Sequence, residues 1–409
     1  MNKLACSTIF LLTITSSYSY TLKCESKEFT QTNQYQKIFH NKGTSLTQWL
    51  GGDNDNSIKI ADNKYIWTFG DTLLGKYIQN KDYKYFIHDS IGIMDTSDSN
   101  DIKMSFNFKK DEFGNPTEFF KPEGTTKDEY FWILSGAKSD YKLMLGLATI
   151  INTDTSFEIL DTVYAVIDNP NDAPNDWNYK LYNIDKLLDF SEEFSELKWN
   201  VSIVNGADDY VYIFGIDSKN SLLSNLYVAR ISTESIRNAD FKKIEFLTKG
   251  KNSWQNYSDK TPLLKSNLKS IEGLPATNEA SFYYNENHNK WYTVYISPFS
   301  YDVKLLSSDS LLGEWQDNGV IYKVPAPWST IKQKGKNLFM SYAPKIHPDI
   351  KELNESDNTN NLSFVFEYVN NVNGFELPNI WNEQGHQIVQ NYSNFYIPLF
   401  VNVNCQILD

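Results

Sequence analysis

The chain has 409 residues, 15% of them aromatic and 22% charged, and only three cysteines. Those proportions exclude a disordered chain, which lacks the aromatics for a core, and a small disulfide-stapled scaffold. The 51 acidic and 38 basic side chains give a net charge of −13, which repels phosphate backbones and anionic membrane surfaces and argues against nucleic acid as a partner.

Lys3 is followed by an apolar run from Leu4 to Ile14 and then by Ser17-Tyr18-Ser19. This is the layout of a secretory signal peptide cut near Ser19. The run is short for a bilayer span, and no later run reaches the roughly 18 apolar residues that a span needs. Cys6 does not follow a lipoprotein-type leader. A signal peptide over 1–19 and a secreted, monomeric chain without membrane insertion are therefore expected. Cys24 and Cys405 remain after cleavage, and an even pair in an oxidising compartment suggests a disulfide closing a very long loop. Glycosylation sequons start at Asn200, Asn256, Asn354, Asn361 and Asn391; in a chain so rich in Asn and Ser they carry little weight.

From residue 57 onward strand-like runs dominate: KYIWTFG (64–70), EYFWILSG (129–136), YVYIFG (210–215), KWYTVYIS (290–297) and NLSFVFEYV (361–369). β-Branched and aromatic residues fall on both parities, as in strands packed on both faces. The turns between them carry Asp-Asn, Asp-Asp or Asn-Glu-Asn, which accept hairpin geometry. Helical periodicity is scarce, with YNIDKLLDFSEEF (182–194) as the one candidate connecting helix. No Pro/Gly/Ser-rich linker divides the chain, which predicts one all-β domain over 20–409. Strand groups recur about every 60 to 75 residues, near positions 57, 129, 199, 280 and 337, a spacing that suits a five-bladed β-propeller. SFYYNENHNKWYTVY (281–295) reads as a hairpin of one blade, with Gly313 and Trp315 turning into its outer strand. A pair of large β-sandwiches is the alternative.

The segment richest in chemistry is GGDNDNSIKIADNKYIWTFGDTLLG (51–75). SIKIA and KYIWTFG form a predicted hairpin around Asp62-Asn63, with pairing partners summing to about 124 to 126. Folding it brings Asp53 and Asp71 to one end, where cross-strand neighbours have Cβ atoms about 5 Å apart and diagonal ones about 7–8 Å. Glycoside hydrolysis needs two carboxyl groups at such distances, one acting on the anomeric carbon or its water and one protonating the leaving oxygen. A two-residue turn puts the two aspartates on opposite faces, whereas a three-residue turn or a bulge puts them on the same face. Asp53-Asn54-Asp55-Asn56-Ser57 begins like an EF-hand loop, but Ile58 and Lys64 occupy the positions where that loop wants Gly and Glu. There is no Gly-x-Ser-x-Gly elbow, HExxH pair, CxxC spacing or Gly-rich phosphate loop, and no cofactor is implied.

The same segment resembles the opening blade of a family of secreted five-bladed propellers that carries a G-x-D-x-x-x-S…W-x-F-G-D-T signature and includes endo-D-arabinanases. FIHDSIGI (86–93) is similar to that family's F-V-x-N-S-x-x-I stretch, with Asp89 where Asn is usual. NEASFYYNENHNKWYTVY (278–295), YAPKIHPDI (342–350) and FYIPLFVNV (395–403) resemble its blade-four hairpin, its Y-x-x-x-x-H-P stretch and its closing strand. The resemblance implies a funnel lined by carboxylates, with Asp53 and Asp71 as the catalytic pair. It also implies Glu279 as a further acid, and His347 and Asp89 as residues that bind or tune for a sugar. Asn205, just before a strand, and Trp67, a stacking ring, complete the candidate substrate contacts; for Trp67, blade core is the competing role. Two functions stay open: a glycoside hydrolase acting on a polysaccharide, with arabinofuranosyl linkages implied by the resemblance, and a non-catalytic propeller binding glycan or protein through the same funnel.

Overall fold

The computed structural model describes residues 21–408 apart from 125–127, 154–156, 207, 218–225, 251–252, 258–262, 276–278, 297–299, 326–331, 334–335, 338, 351–359 and 373–392. The expected signal segment, 1–19, lies outside the described residues, as do the sequons at Asn354 and Asn391. No helix among the described residues is long and apolar enough to cross a membrane.

The chain opens with β1 (Thr21–Glu28), α1 (Gln34–Phe39) and β2 (Gly43–Gly52). β3 (Asn56–Ala61) and β4 (Lys64–Phe69) form the expected hairpin, followed by β5 (Thr72–Tyr77), β6 (Lys81–Ile87), β7 (Ser90–Asp95) and β8 (Lys103–Asn107). Strands β3-β4-β7-β8 make the first four-stranded sheet, and β2-β5-β6 a smaller one beside it. The two-residue strands β9 (Lys109–Lys110) and β10 (Pro116–Thr117) lead into a second sheet of β11 (Glu129–Ser139), β12 (Lys142–Asn152), β13 (Phe157–Ile167) and β14 (Tyr179–Asn183). The third contains β15 (Leu197–Asn205), β16 (Tyr210–Asp217), β17 (Leu226–Ser232), β18 (Glu245–Thr248) and β19 (Ser253–Asn256). The fourth contains β20 (Phe282–Asn285), β21 (Lys290–Ile296), β22 (Asp302–Ser308) and β23 (Gln316–Lys323). After the pair β24 (Lys332–Gln333) and β25 (Lys336–Asn337), the last sheet runs β26 (Phe339–His347), β27 (Asn361–Val372), β28 (Pro398–Leu408), and β1 returns to complete its outer edge.

The sheets begin at residues 56, 129, 197, 282 and 339, in step with the periodicity read from the sequence. Apolar residues on both strand parities are explained by the packing, because every sheet shares a core with its neighbour on each side. Ile58 and Ile66 of the first sheet pack with Phe131 and Leu145 of the second. Met144 and Tyr164 of the second pack with Trp199 and Ile213 of the third. Phe214 and Val228 of the third meet Trp291 and Leu306 of the fourth. Tyr292 and Leu305 of the fourth join Phe364 and Phe400 of the last, and that same cluster reaches back to Trp67 and Phe69 of the first.

The expected helix over 182–194 is two short ones. α2 (Ile184–Leu187), capped by Asn183, ends before Asp189, whose φ of 51° is left-handed, and Ser191 caps a fresh start for α3 (Glu192–Ser195). Cys24 and Cys405 face each other across the β1–β28 ladder and form the expected disulfide. Asn200, the first residue of one sequon, is fully buried and donates to the Leu147 carbonyl at 2.8 Å.

Candidate active site

The β3–β4 hairpin pairs Asn56 with Thr68 and Lys59 with Tyr65, then shifts by one residue between Lys59 and Ala61. This is the bulged register. Beyond the ladder the Gly70 N–H donates to the Asp53 carbonyl at 2.8 Å, so Asp53 and Asp71 leave the hairpin together. A Cβ at Gly70 would lie 2.8 Å from Asp53 Oδ1, and one at Gly51 would lie 2.3 Å from the Tyr396 carbonyl oxygen. Gly51 is therefore required by close approach of the Tyr396 backbone, and a side chain at Gly70 would push on the Asp53 carboxyl.

Each aspartate receives donors from distant parts of the chain. The Tyr342 hydroxyl on β26 donates to Asp53 Oδ2 at 2.7 Å and itself accepts from Asn371 Nδ2 at 3.1 Å. The Tyr396 hydroxyl also bonds Asp53. Its residue has φ of 58°, and its carbonyl accepts from the Gly52 N–H at 2.8 Å. Asp71 Oδ1 accepts from Trp132 Nε1 at 2.8 Å and from His88 Nδ1 at 2.9 Å. The His88 ring lies on Tyr130 with centroids 3.5 Å apart, and Phe157 meets Trp132 edge-on at 4.7 Å. Both donors use Oδ1, so Oδ2 of Asp71 stands outside these two bonds.

Glu279 lies on the segment that leads into β20 of the fourth sheet. Two residues on, Ser281 ties this segment to the last sheet, its hydroxyl oxygen accepting from the Ile346 N–H at 2.7 Å. Burial pushes the Asp53 carboxyl well above the usual carboxylate range, and the charges of Asp71 and Glu279 push it further, against the two tyrosine hydrogen bonds. Burial likewise raises Glu279, with Lys345 acting in the opposite sense. Asp53, Asp71 and Glu279 each keep partial exposure, and the charges of Asp71 and Glu279 both act on Asp53, so the three acids share one neighbourhood.

The four candidate substrate contacts lie elsewhere. Asp89 has no exposed surface; its Oδ1 accepts from the N–H groups of Phe119 and Phe120 at 2.7 and 3.1 Å, which makes it a backbone anchor. Burial pushes its carboxyl well up, against those two bonds. Trp67 is fully buried among Phe39, Phe69 and Phe400, the blade-core role. His347 is 1% exposed, stacked on Trp67 at 4.8 Å, with Nδ1 2.7 Å from the Ser57 hydroxyl. Asn205 is exposed, but it donates to the Lys138 carbonyl at the far end of β11. Six residues separate Lys138 from Trp132, roughly 20 Å of extended strand, so Asn205 does not join the acids.

Burial holds His347 down to about 3, whereas an unfolded histidine titrates near 6.5. Between those values the unfolded chain carries a proton that the folded chain refuses, so this stability is present above pH 6.5 and lost as pH falls toward 3. His347→Gln is expected to flatten the fall in stability with acid by up to about 1.4 kcal/mol per pH unit in that window, measured by denaturant titrations at several pH values.

Sequence reasoning missed Trp132, His88, Tyr342 and Tyr396. It also missed the buried group of Asp55, Glu367 and Lys345. Aromatic residues in strands gave no sign of which ring N–H or hydroxyl would reach a carboxylate in another sheet. Among the described residues no cluster of His, Cys, Asp and Glu is arranged to hold a metal ion.

An all-β chain of packed antiparallel sheets is a fold already seen in solved structures. A putative hydrolase from Bacteroides ovatus is similar over 97% of this chain and 97% of its own, at 15% identity and a TM-score of 0.65. Looser likenesses are the catalytic domain of a Coprinopsis cinerea GH62 alpha-L-arabinofuranosidase and RS223-beta-xylosidase. The former is 10% identical over 87% of this chain and 90% of its own, with a TM-score of 0.38; the latter is 10% identical over 89% and 93%, with a TM-score of 0.43. No curated protein matches the chain. The chain belongs to the family described as Domain of unknown function (DUF5005), whose model matches residues 33–405.

Proposed function

We propose that the chain is a secreted, monomeric glycoside hydrolase, a single five-bladed propeller over 20–409 released from a signal peptide at 1–19, which cleaves a polysaccharide. The observation that carries this is the convergence of three partly exposed acids, Asp53, Asp71 and Glu279, on one neighbourhood. Five sheets, each sharing a core with its neighbours and the last with the first, support the propeller. The disulfide agrees with an oxidising destination.

In this proposal Asp71 is the carboxylate that acts on the anomeric carbon or on the water attacking it. Two N–H donors fix Oδ1 and orient Oδ2. Glu279, raised by burial, supplies the proton to the leaving oxygen. Asp53 lies near both; burial and their charges push its carboxyl toward the neutral form, while its two tyrosines fix its position. The likeness of GGD…FGDT to endo-D-arabinanases supports an arabinofuranosyl substrate. Reducing-end release from a polysaccharide panel containing arabinan and arabinogalactan tests the proposal; release from none of them favours the glycan-binding alternative. Trp132→Phe keeps an aromatic side chain but removes the N–H to Asp71, and is expected to lower kcat about 10–100-fold with KM little changed, read from initial rates on the best polymer.

A further inference from the structure

A second layer of acids stands behind the three accessible ones. Asp55, two residues after Asp53, and Glu367 on β27 have no exposed surface, and neither oxygen of either carboxyl has a hydrogen-bond partner among the described residues. Lys345 on β26 is 1% exposed and sits directly across the ladder from Glu367, which sets their Cβ atoms about 5 Å apart. Between Tyr342 and Lys345 the register slips, with Ala343 at φ 55°. In an unbroken strand these two side chains point to opposite faces. The slip lets Tyr342 reach Asp53 while Lys345 faces the deeper acids.

Asp53, Asp55, Glu279 and Glu367, all ionised, would place four negative charges around one ammonium, and two of them, Asp55 and Glu367, have no exposed surface. That arrangement is not sustainable without bound protons. Burial raises Asp55, Glu279 and Glu367, and Lys345 opposes the rise at all three. His347, two residues along β26, also feels Lys345 and remains neutral. Resting on the glycosidase reading of the site, we propose that Lys345 is a positioning residue, a built-in cation for this inner acid layer. Protons stay on Asp55 and Glu367, and Glu279 keeps its own exchangeable.

The charge is the testable element. Lys345→Met is expected to move the alkaline limb of kcat/KM upward by about one pH unit or more, because an acid that has lost its neighbouring cation holds its proton longer. Lys345→Arg keeps the charge and is expected to leave the limb near its parental position. An infrared pH titration of the carboxylic-acid band reads the same layer without any substrate. Protonated carboxyl is expected above pH 7 in the parent, persisting to higher pH in Lys345→Met. A uniform loss of rate at every pH with the limb unmoved, or superimposable infrared titrations, would overturn the role of Lys345. If the parent shows no hydrolysis of any polymer, the glycosidase reading fails while the infrared comparison still decides the cation. If Lys345→Met does not fold, absence of the protonated band from the parent above pH 7 is sufficient to reject the proposal.

Discussion

Asp71→Asn is expected to abolish polysaccharide cleavage, with a loss of at least about 1,000-fold in reducing-end release. The substitution keeps the shape of the side chain and lets one amide oxygen still accept from Trp132 and His88. It removes only the charge and basicity. Circular dichroism and the unfolding midpoint should therefore match the parent, so a loss of rate reads as chemistry. Unchanged release would remove Asp71 from the site. Asp53→Asn is a useful contrast. Asp53 is held by Tyr342 and Tyr396 and is already pushed toward its neutral form, so its amide should retain more activity than that of Asp71.

The second large effect concerns stability. Cys24 and Cys405 are separated by 381 residues, and in the chain-entropy model a bond closing so long a loop contributes up to about 6 kcal/mol. The Cys24→Ser/Cys405→Ser variant is expected to unfold at a clearly lower guanidinium concentration. Its rate at low temperature should be preserved, because β1 is the outermost strand of its sheet, three strands from β26. At about 4.8 Å per strand that is roughly 14 Å from the strand that carries Tyr342. An unchanged midpoint would mean that pairing of β1 with β28 alone holds the edge.

Much of the architecture was legible because it is periodic. Each sheet repeats the same alternation of core residues and turn signals, and the first hairpin is fixed by a local turn, so the meeting of Asp53 and Asp71 at one end followed from counting, whereas their relative face depended on the bulge. The groups that surround these acids were not legible, because their placement depends on irregularities. A register slip at Ala343 turns Lys345 toward Glu367, and a left-handed residue at Tyr396 brings its hydroxyl to Asp53. Neither leaves a compositional mark, since neither residue is glycine. Asp89 and His347 misled for a related reason. They sit in motif-like text, yet their partners, the Phe119 and Phe120 amides and the Trp67 ring, lie far along the chain.

The return of β1 to the last sheet also imposes an order of assembly. The first described strand pairs with the final one, so during synthesis Cys24 emerges early and waits for almost the whole chain before Cys405 can meet it. Tyr342 lies on β26 and Tyr396 just before β28 of that same late sheet, which means the donors to Asp53 are in place only once the last sheet has formed. A nascent or truncated chain lacking β28 would carry the GGD and FGD loops complete in sequence and still be unable to assemble the charge environment that distinguishes one carboxyl group from the next.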